Sequence, residues 1–91
     1  MDLSSAVLAE GKLSSANLTN VNFSLSFLNF ADLSAANLTV ARLLNANLTS
    51  AILSRANLTR ANLRDAVITN ADLSGVTFDN TVMPDGSTRS N

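Results

Sequence analysis

Large apolar side chains recur at every fifth position along almost the whole chain. A small residue, most often alanine, stands two positions before each of them, and asparagine or aspartate often lies between the two. Serine or threonine often follows the large residue. A fixed internal period of this kind is typical of repeat architectures. The seventeen large positions are Leu3, Leu8, Leu13, Leu18, Phe23, Leu28, Leu33, Leu38, Leu43, Leu48, Leu53, Leu58, Leu63, Ile68, Leu73, Phe78 and Met83.

A period of five fits neither a straight strand nor an α-helix. In a strand, side chains alternate between faces, so successive leucines would point to opposite sides. In an α-helix, five residues turn by about 500°, so the leucines would precess around the cylinder. The large residues can share one interior only if the chain bends once per repeat. We therefore expect a short extended piece that turns the small and the large residue inward, followed by a corner of two mostly polar residues.

The residue that follows each large position indicates how many corners close a coil. A series of serines and a series of threonines both recur at intervals of twenty residues. A coil of fifteen residues would stack serines on threonines, whereas a coil of twenty residues stacks serine on serine and threonine on threonine. An alternation of ten residues would explain the same series, but the pattern still favours four sides over three. The series are Ser14, Ser34, Ser54 and Ser74, and Thr19, Thr39 and Thr59.

This pattern predicts an all-β rod of about four coils over residues 1–83. Adjacent coils would lie ~4.8 Å apart, as neighbouring strands do. Pro84, Asp85 and Gly86 indicate a turn that ends the last coil. The remaining residues, with the sequence STRSN at 87–91, are expected to form a loose polar tail.

The string ANLTRANLRDA at residues 56–66 resembles the A(D/N)LXX pattern of the pentapeptide repeat family. The resemblance extends over residues 1–83, and the ending FDNTVMPDG is similar to the close of many cyanobacterial members. It implies a right-handed quadrilateral β-helix, with many β-turns and little regular sheet. Most members of this family have no assigned biochemical role. The best understood members imitate DNA and bind type II topoisomerases, and the resemblance implies a role of this kind as an alternative.

The composition argues against enzymatic chemistry. The 91 residues contain no cysteine and no histidine, so a disulfide framework, a Cys/His metal site and the common catalytic triads are excluded. No glycine-rich phosphate loop is present. We therefore expect no enzyme and no cofactor. The start of the chain lacks a secretory signal, and no apolar run approaches the ~18 residues of a membrane helix, so a cytoplasmic location without membrane contact is expected.

Apolar residues at outward positions mark a candidate protein-binding patch, because these positions should otherwise be polar. Three of the patch residues lie close together in one coil, and two lie in adjacent coils. A docking site for a protein partner is one interpretation. The alternative is that Phe27 or Phe30 folds over a corner, or that the repeat deforms near Ser26, which is a poor inward residue. The candidate patch comprises Val7, Leu25, Phe27, Phe30 and Leu44.

The first coil is a second candidate contact. The repeat starts at residue 1, whereas terminal repeats normally carry a polar cap. An open coil end presents unpaired backbone groups, which are prone to pair with another chain. We expect a second copy, end to end, or an adjacent repeat protein to cover this coil. The residues of this predicted contact are Met1, Leu3, Leu8 and Leu13.

These observations favour a non-enzymatic repeat scaffold for protein–protein interaction. The alternative, implied by the family resemblance, is a DNA-mimicking inhibitor or protector of a type II topoisomerase. A DNA mimic needs rows of carboxylates that stand in for phosphates. The chain carries seven acidic and six basic residues, and the acids do not line one predicted face. Its formal charge of −1 also gives no reason to expect nucleic acid as a partner.

Overall fold

The computed structural model describes residues 1–91 and shows a four-sided coil that completes one turn every twenty residues. Every isolated β-bridge is parallel and joins residues twenty positions apart, from Asp2–Asn22 to Asn62–Val82. The prediction of four sides is therefore confirmed. The molecule measures 28 × 25 × 21 Å along its principal axes.

The large apolar residues define four sides, numbered in chain order. Residues on the same side are twenty positions apart and stack along the axis of the coil. Side 1 carries Leu3, Phe23, Leu43, Leu63 and Met83; side 2 carries Leu8, Leu28, Leu48 and Ile68; side 3 carries Leu13, Leu33, Leu53 and Leu73; side 4 carries Leu18, Leu38, Leu58 and Phe78.

Almost every corner is a β-turn closed by the same hydrogen bond. The backbone N–H of the small residue donates to the carbonyl of the large residue three positions earlier, as in Ala36 to Leu33 at 3.1 Å. The residue just before the small one has a positive φ, between 52° and 63° at fifteen non-glycine positions. A positive φ at this third position is the signature of a type II turn.

Outward asparagine and aspartate side chains support the corners. Asn37 Oδ1 accepts hydrogen bonds from the Thr39 N–H at 3.1 Å and from the Thr39 hydroxyl at 2.6 Å. Asp32 Oδ1 accepts the same pair of bonds from Ser34, at 3.0 and 2.6 Å. Such a side chain satisfies a backbone donor that the turn leaves free. This local geometry explains why the strings Asn-Leu-Thr and Asp-Leu-Ser recur in the sequence.

Backbone hydrogen bonds join each coil to the next in a repeating pattern. The Leu33 N–H donates to the Ile52 carbonyl of the following coil at 2.7 Å, and the Asp32 N–H donates to the Gly11 carbonyl of the preceding coil at 2.8 Å. The corner residue with positive φ makes a further bond to the following coil, as in Ala35 N–H to the Ser54 carbonyl at 2.9 Å. Each coil is therefore bonded to both of its neighbours.

The interior is a stack of leucine and alanine side chains. Twenty-one buried apolar residues form one core, and the leucines of the middle coils are almost completely buried. Each such leucine contributes about 1.5–3 kcal/mol to the stability of the coil relative to an exposed one. Leu3, Leu8 and Leu13 at one end, and Ile68 and Leu73 at the other, are only partly buried.

The last residues fold back over the final coil, so the expectation of a loose tail is wrong. Strand β1, Thr81–Val82, pairs antiparallel with strand β2, Thr88–Arg89. The side chain of Asn91 accepts from the Phe78 N–H at 3.0 Å and donates to the Val76 carbonyl at 2.9 Å. The tail therefore satisfies backbone groups on sides 4 and 1 that the next coil would otherwise bind.

Ser26 occupies an inward position of side 2 without distorting the coil. Its N–H donates to the Phe23 carbonyl at 3.0 Å, and the Phe27 N–H donates to the Ala6 carbonyl at 2.9 Å, as in the other repeats. The alternative that the repeat deforms near Ser26 is therefore wrong. A serine side chain is little larger than the alanines at equivalent positions. Its hydroxyl is buried, however, and has no hydrogen-bond partner.

Replacing Ser26 by alanine should stabilise the protein by about 1 kcal/mol, because it removes a buried hydroxyl that makes no hydrogen bond. The matched control is Ala46→Ser, one coil further along the same side, which should lower stability by about the same amount. Urea-induced unfolding of both variants and the wild type measures these changes. A Ser26→Ala variant less stable than the wild type would show that the hydroxyl has a partner.

Candidate protein-binding surface

Side 2 carries the main group of exposed apolar side chains. Phe27 is 48% exposed and stands directly above Val7, which is 76% exposed. Leu25 and Phe30 occupy the two corners that flank Phe27 in the same coil, with exposures of 57% and 59%. We call Val7, Leu25, Phe27 and Phe30 the side-2 patch. The structure thus brings together four of the five residues that the sequence predicted.

Leu44, the fifth predicted residue, borders this patch. It lies at the corner between sides 1 and 2, is half-buried, and its carbonyl accepts a hydrogen bond from the Leu25 N–H at 2.9 Å. The remaining exposed apolar residues are more scattered. Val67 lies on side 2 but is separated from Phe27 by Asn47, and Ile52 lies on side 3. The side-2 patch is therefore concentrated on the first two coils.

A groove opens beside Phe30, across the corner between sides 2 and 3. It has a volume of about 580 Å³, and we call it the Phe30 groove. Sequence reasoning missed it, although Glu10 and Phe30 are twenty residues apart and therefore occupy the same corner of successive coils. Lys12 and Asp32 are stacked in the same way on side 3. The groove is lined by Glu10, Lys12, Ser14, Phe30 and Asp32.

The carboxylate of Asp32 is held in place by its own repeat. Its Oδ1 accepts hydrogen bonds from the hydroxyl and the N–H of Ser34. These bonds, first that of the hydroxyl and then that of the backbone, lower the pKa of Asp32 below its ordinary value. The pKa of Asp72, two coils further along side 3, is lowered by Ser74 for the same reasons. Both side chains therefore carry a negative charge at neutral pH.

The predicted end-to-end residues lie on the first coil. Met1 is 69% exposed, whereas Leu3, Leu8 and Leu13 are partly buried beneath the second coil. The outward residues of this coil, such as Val7, leave their own backbone N–H and carbonyl without a backbone hydrogen bond. The residues are thus located at an open edge, and the contact itself stays a prediction.

The chain contains no helix that could cross a membrane.

Two comparisons identify related proteins. A family model described as pentapeptide repeats matches residues 2–39 and 41–80, in eight copies. A solved structure of a pentapeptide repeat protein from the cyanobacterium Cyanothece is 38% identical, with a TM-score of 0.87, and the alignment covers 90% of this chain and 56% of that one. No curated protein matches the chain.

A second solved structure supports the same relationship. A pentapeptide repeat protein from the thylakoid lumen of Arabidopsis thaliana is 32% identical, with a TM-score of 0.73, and the alignment covers 84% of this chain and 57% of that one. The chain thus spans a little more than half the length of both proteins. Pentapeptide repeat proteins form right-handed quadrilateral β-helices, and the coil described above has this architecture.

Replacing Asp32 and Asp72 by asparagine should reduce the acid sensitivity of the fold while keeping both turn bonds. A lowered folded-state pKa contributes stability above the unfolded value of about 3.9, and this stability is lost as the pH falls through the folded value. Thermal unfolding at pH 7 and pH 3 should therefore show a smaller decrease in Tm for the double variant.

The matched control for this experiment is Asn37→Asp on side 4. It places a carboxylate beside Thr39 in the geometry that Asp32 has beside Ser34, so it should increase the loss of Tm at pH 3. Equal losses of Tm in the wild type, the double variant and the control would contradict the proposed role of these side chains.

Proposed function

Because the chain belongs to the pentapeptide repeat family, we propose that it is a non-enzymatic scaffold that binds a protein partner through the side-2 patch. The observation that supports this proposal is the clustering of four exposed apolar side chains on one side of a rigid coil. Scattered exposed apolar residues are ordinary on protein surfaces, but a contiguous group that includes two aromatic rings is typical of an interface.

The chemistry of the patch suits a protein partner. Phe27 and Phe30 offer large apolar areas that a partner can desolvate, and aromatic residues often supply much of the energy of such contacts. Both phenylalanines are attached to backbone that is hydrogen-bonded to the neighbouring coil. Binding would therefore cost little backbone entropy, which favours affinity. Polar residues at the edge, such as Asn29 and Asn47, would form the rim of the interface.

The topoisomerase alternative receives less support from the positions of the carboxylates. Asp2 lies on side 1, Asp32 and Asp72 on side 3, and Asp79 at the corner that follows side 4. Acids spread in this way do not form the continuous row that a DNA mimic needs. A supercoiling assay with a purified type II topoisomerase would test this alternative directly, and we expect no inhibition.

End-to-end association through the first coil is the second part of the partner proposal. The unpaired edge around Val7 supports it, because the same backbone groups are hydrogen-bonded in every interior coil. A second copy or another coil of the same repeat could supply the missing partners. Sedimentation of the dilute chain tests this idea, and a monomer at all concentrations would argue against a second copy.

We also propose that this scaffold acts in the cytoplasm. One of the similar structures belongs to a thylakoid lumen protein, so the location needs a direct test. Cell fractionation of the tagged chain would provide it, and recovery in a lumenal or extracellular fraction would contradict the proposal.

Replacing Phe27 or Leu25 by aspartate should abolish capture of the partner without unfolding the coil, because both side chains point outward and are about half exposed. The control is Ile52→Asp, which changes an apolar residue of similar exposure on side 3 and should leave capture intact. Affinity capture followed by mass spectrometry measures the effect. Equal capture by the wild type and both patch variants would exclude the side-2 patch as the binding surface.

A further inference from the structure

We propose that the Phe30 groove binds an arginine side chain of the partner segment that docks on the side-2 patch. This inference rests on the proposed function, because it specifies the chemistry of the partner. The inference predicts that the partner presents apolar residues next to a positive charge. Phe30 contributes to both surfaces, so the groove and the patch are continuous.

The groove combines an aromatic ring with two carboxylates. Phe30 stands above Glu10 at one corner, and Asp32 stands above Lys12 on the adjoining side. Its charged lining residues are therefore two acids and one base, which gives a net charge of −1. The remaining lining residue, Ser14, adds a hydroxyl. Such a lining favours a cation over an anion.

A guanidinium group matches this lining better than other side chains. Its flat face is attracted to the face of an aromatic ring, and its N–H groups form strong hydrogen bonds with carboxylates. The protein already contains one contact of this kind, because the guanidinium carbon of Arg89 lies 4.0 Å from the centre of the Phe78 ring. Phe30 has no such internal partner, and 59% of its surface is exposed.

The carboxylate of Asp32 is already oriented and ionised before a ligand binds. Ser34 donates two hydrogen bonds to one carboxylate oxygen, Oδ1, while the other oxygen makes no hydrogen bond within the chain. The bonds to Ser34 fix the orientation of the carboxylate, and they lower its pKa so that it stays ionised at neutral pH. A guanidinium that entered the groove would therefore meet an oriented negative charge at little entropic cost.

Lys12 distinguishes a cationic ligand from an anionic one. If arginine binds, the ammonium group of Lys12 repels it, so Lys12→Gln should strengthen binding about twofold. If the groove instead held an anion such as phosphate, the same change would weaken binding. The Glu10→Gln and Asp32→Asn variants should have the opposite effects. Asparagine at position 32 keeps the bonds to Ser34, as it does in the other repeats.

The test begins with a random peptide library displayed on phage and selected on the wild-type protein. Selected peptides should combine apolar residues with an arginine a few positions away. Selection on the Glu10→Gln/Asp32→Asn double variant should retain the apolar residues, while arginine falls to its background frequency. Selection on Phe27→Asp should recover neither feature.

A synthetic copy of the most enriched peptide then measures the contribution of the charge. Citrulline in place of arginine keeps the shape and removes the charge, so it should weaken binding to the wild type about fivefold to tenfold. The double variant should bind the two peptides equally. Fluorescence anisotropy at low and high salt gives both affinities, and the difference between them should shrink at high salt.

The outcomes separate this inference from the proposed function. Apolar peptides without arginine, or equal affinities of the arginine and citrulline peptides for the wild type, would overturn the inference and leave the scaffold proposal standing. Weaker binding of the arginine peptide to Lys12→Gln would likewise overturn it. Failure to select any peptide that depends on Phe27 would count against both proposals.

Discussion

The β-turn at every fifth residue is the constraint on which the rest of this structure depends. Fifteen non-glycine residues adopt a left-handed backbone conformation at these corners, which costs most L-residues about 1–2 kcal/mol each. Asparagine tolerates this conformation well, but Val40 and Phe30 do not. Their strain is offset by the hydrogen bonds between coils and by the burial of one large apolar side chain per repeat, about 1.5–3 kcal/mol each. The coil therefore holds its corners even where the local sequence is unfavourable.

The same constraint determines how surface features are built. Outward side chains twenty positions apart stack in columns, so a surface is specified by the residue types that recur at this interval. Phe27 above Val7 forms the centre of the side-2 patch, and Phe30 above Glu10 forms one wall of the groove. Both are held on backbone that is bonded to its neighbours in the stack. A partner would meet surfaces that need little rearrangement, which suits the proposed binding role.

Much of the fold could be predicted from the sequence, because every repeat has the same pattern of inward and outward residues. The period of five required a corner, and the serine and threonine series favoured four sides, which the bridges confirm. The folded-back tail could not be predicted, since the bonds of Asn91 to Val76 and Phe78 involve a residue, Asn91, that lies outside the periodic pattern. The twenty-residue register already places Glu10 beneath Phe30, but the open space between the side chains of the Phe30 groove is not specified by the repeat pattern. The expectation that the repeat deforms near Ser26 was wrong because backbone hydrogen bonds, rather than the inward side chain, keep this repeat regular.

Amide hydrogen exchange, resolved residue by residue, tests the central claim most directly. In the middle coils, four amides of each repeat donate to backbone carbonyls, whereas the residue after the large apolar one donates only to a side chain or to nothing in the chain. We expect the amides of residues such as Ser34, Thr39 and Ser54 to exchange fastest, with a minimum of protection at every fifth position across residues 21–60. Protection that repeats every three to four residues, or a middle region without protection, would contradict the four-sided coil.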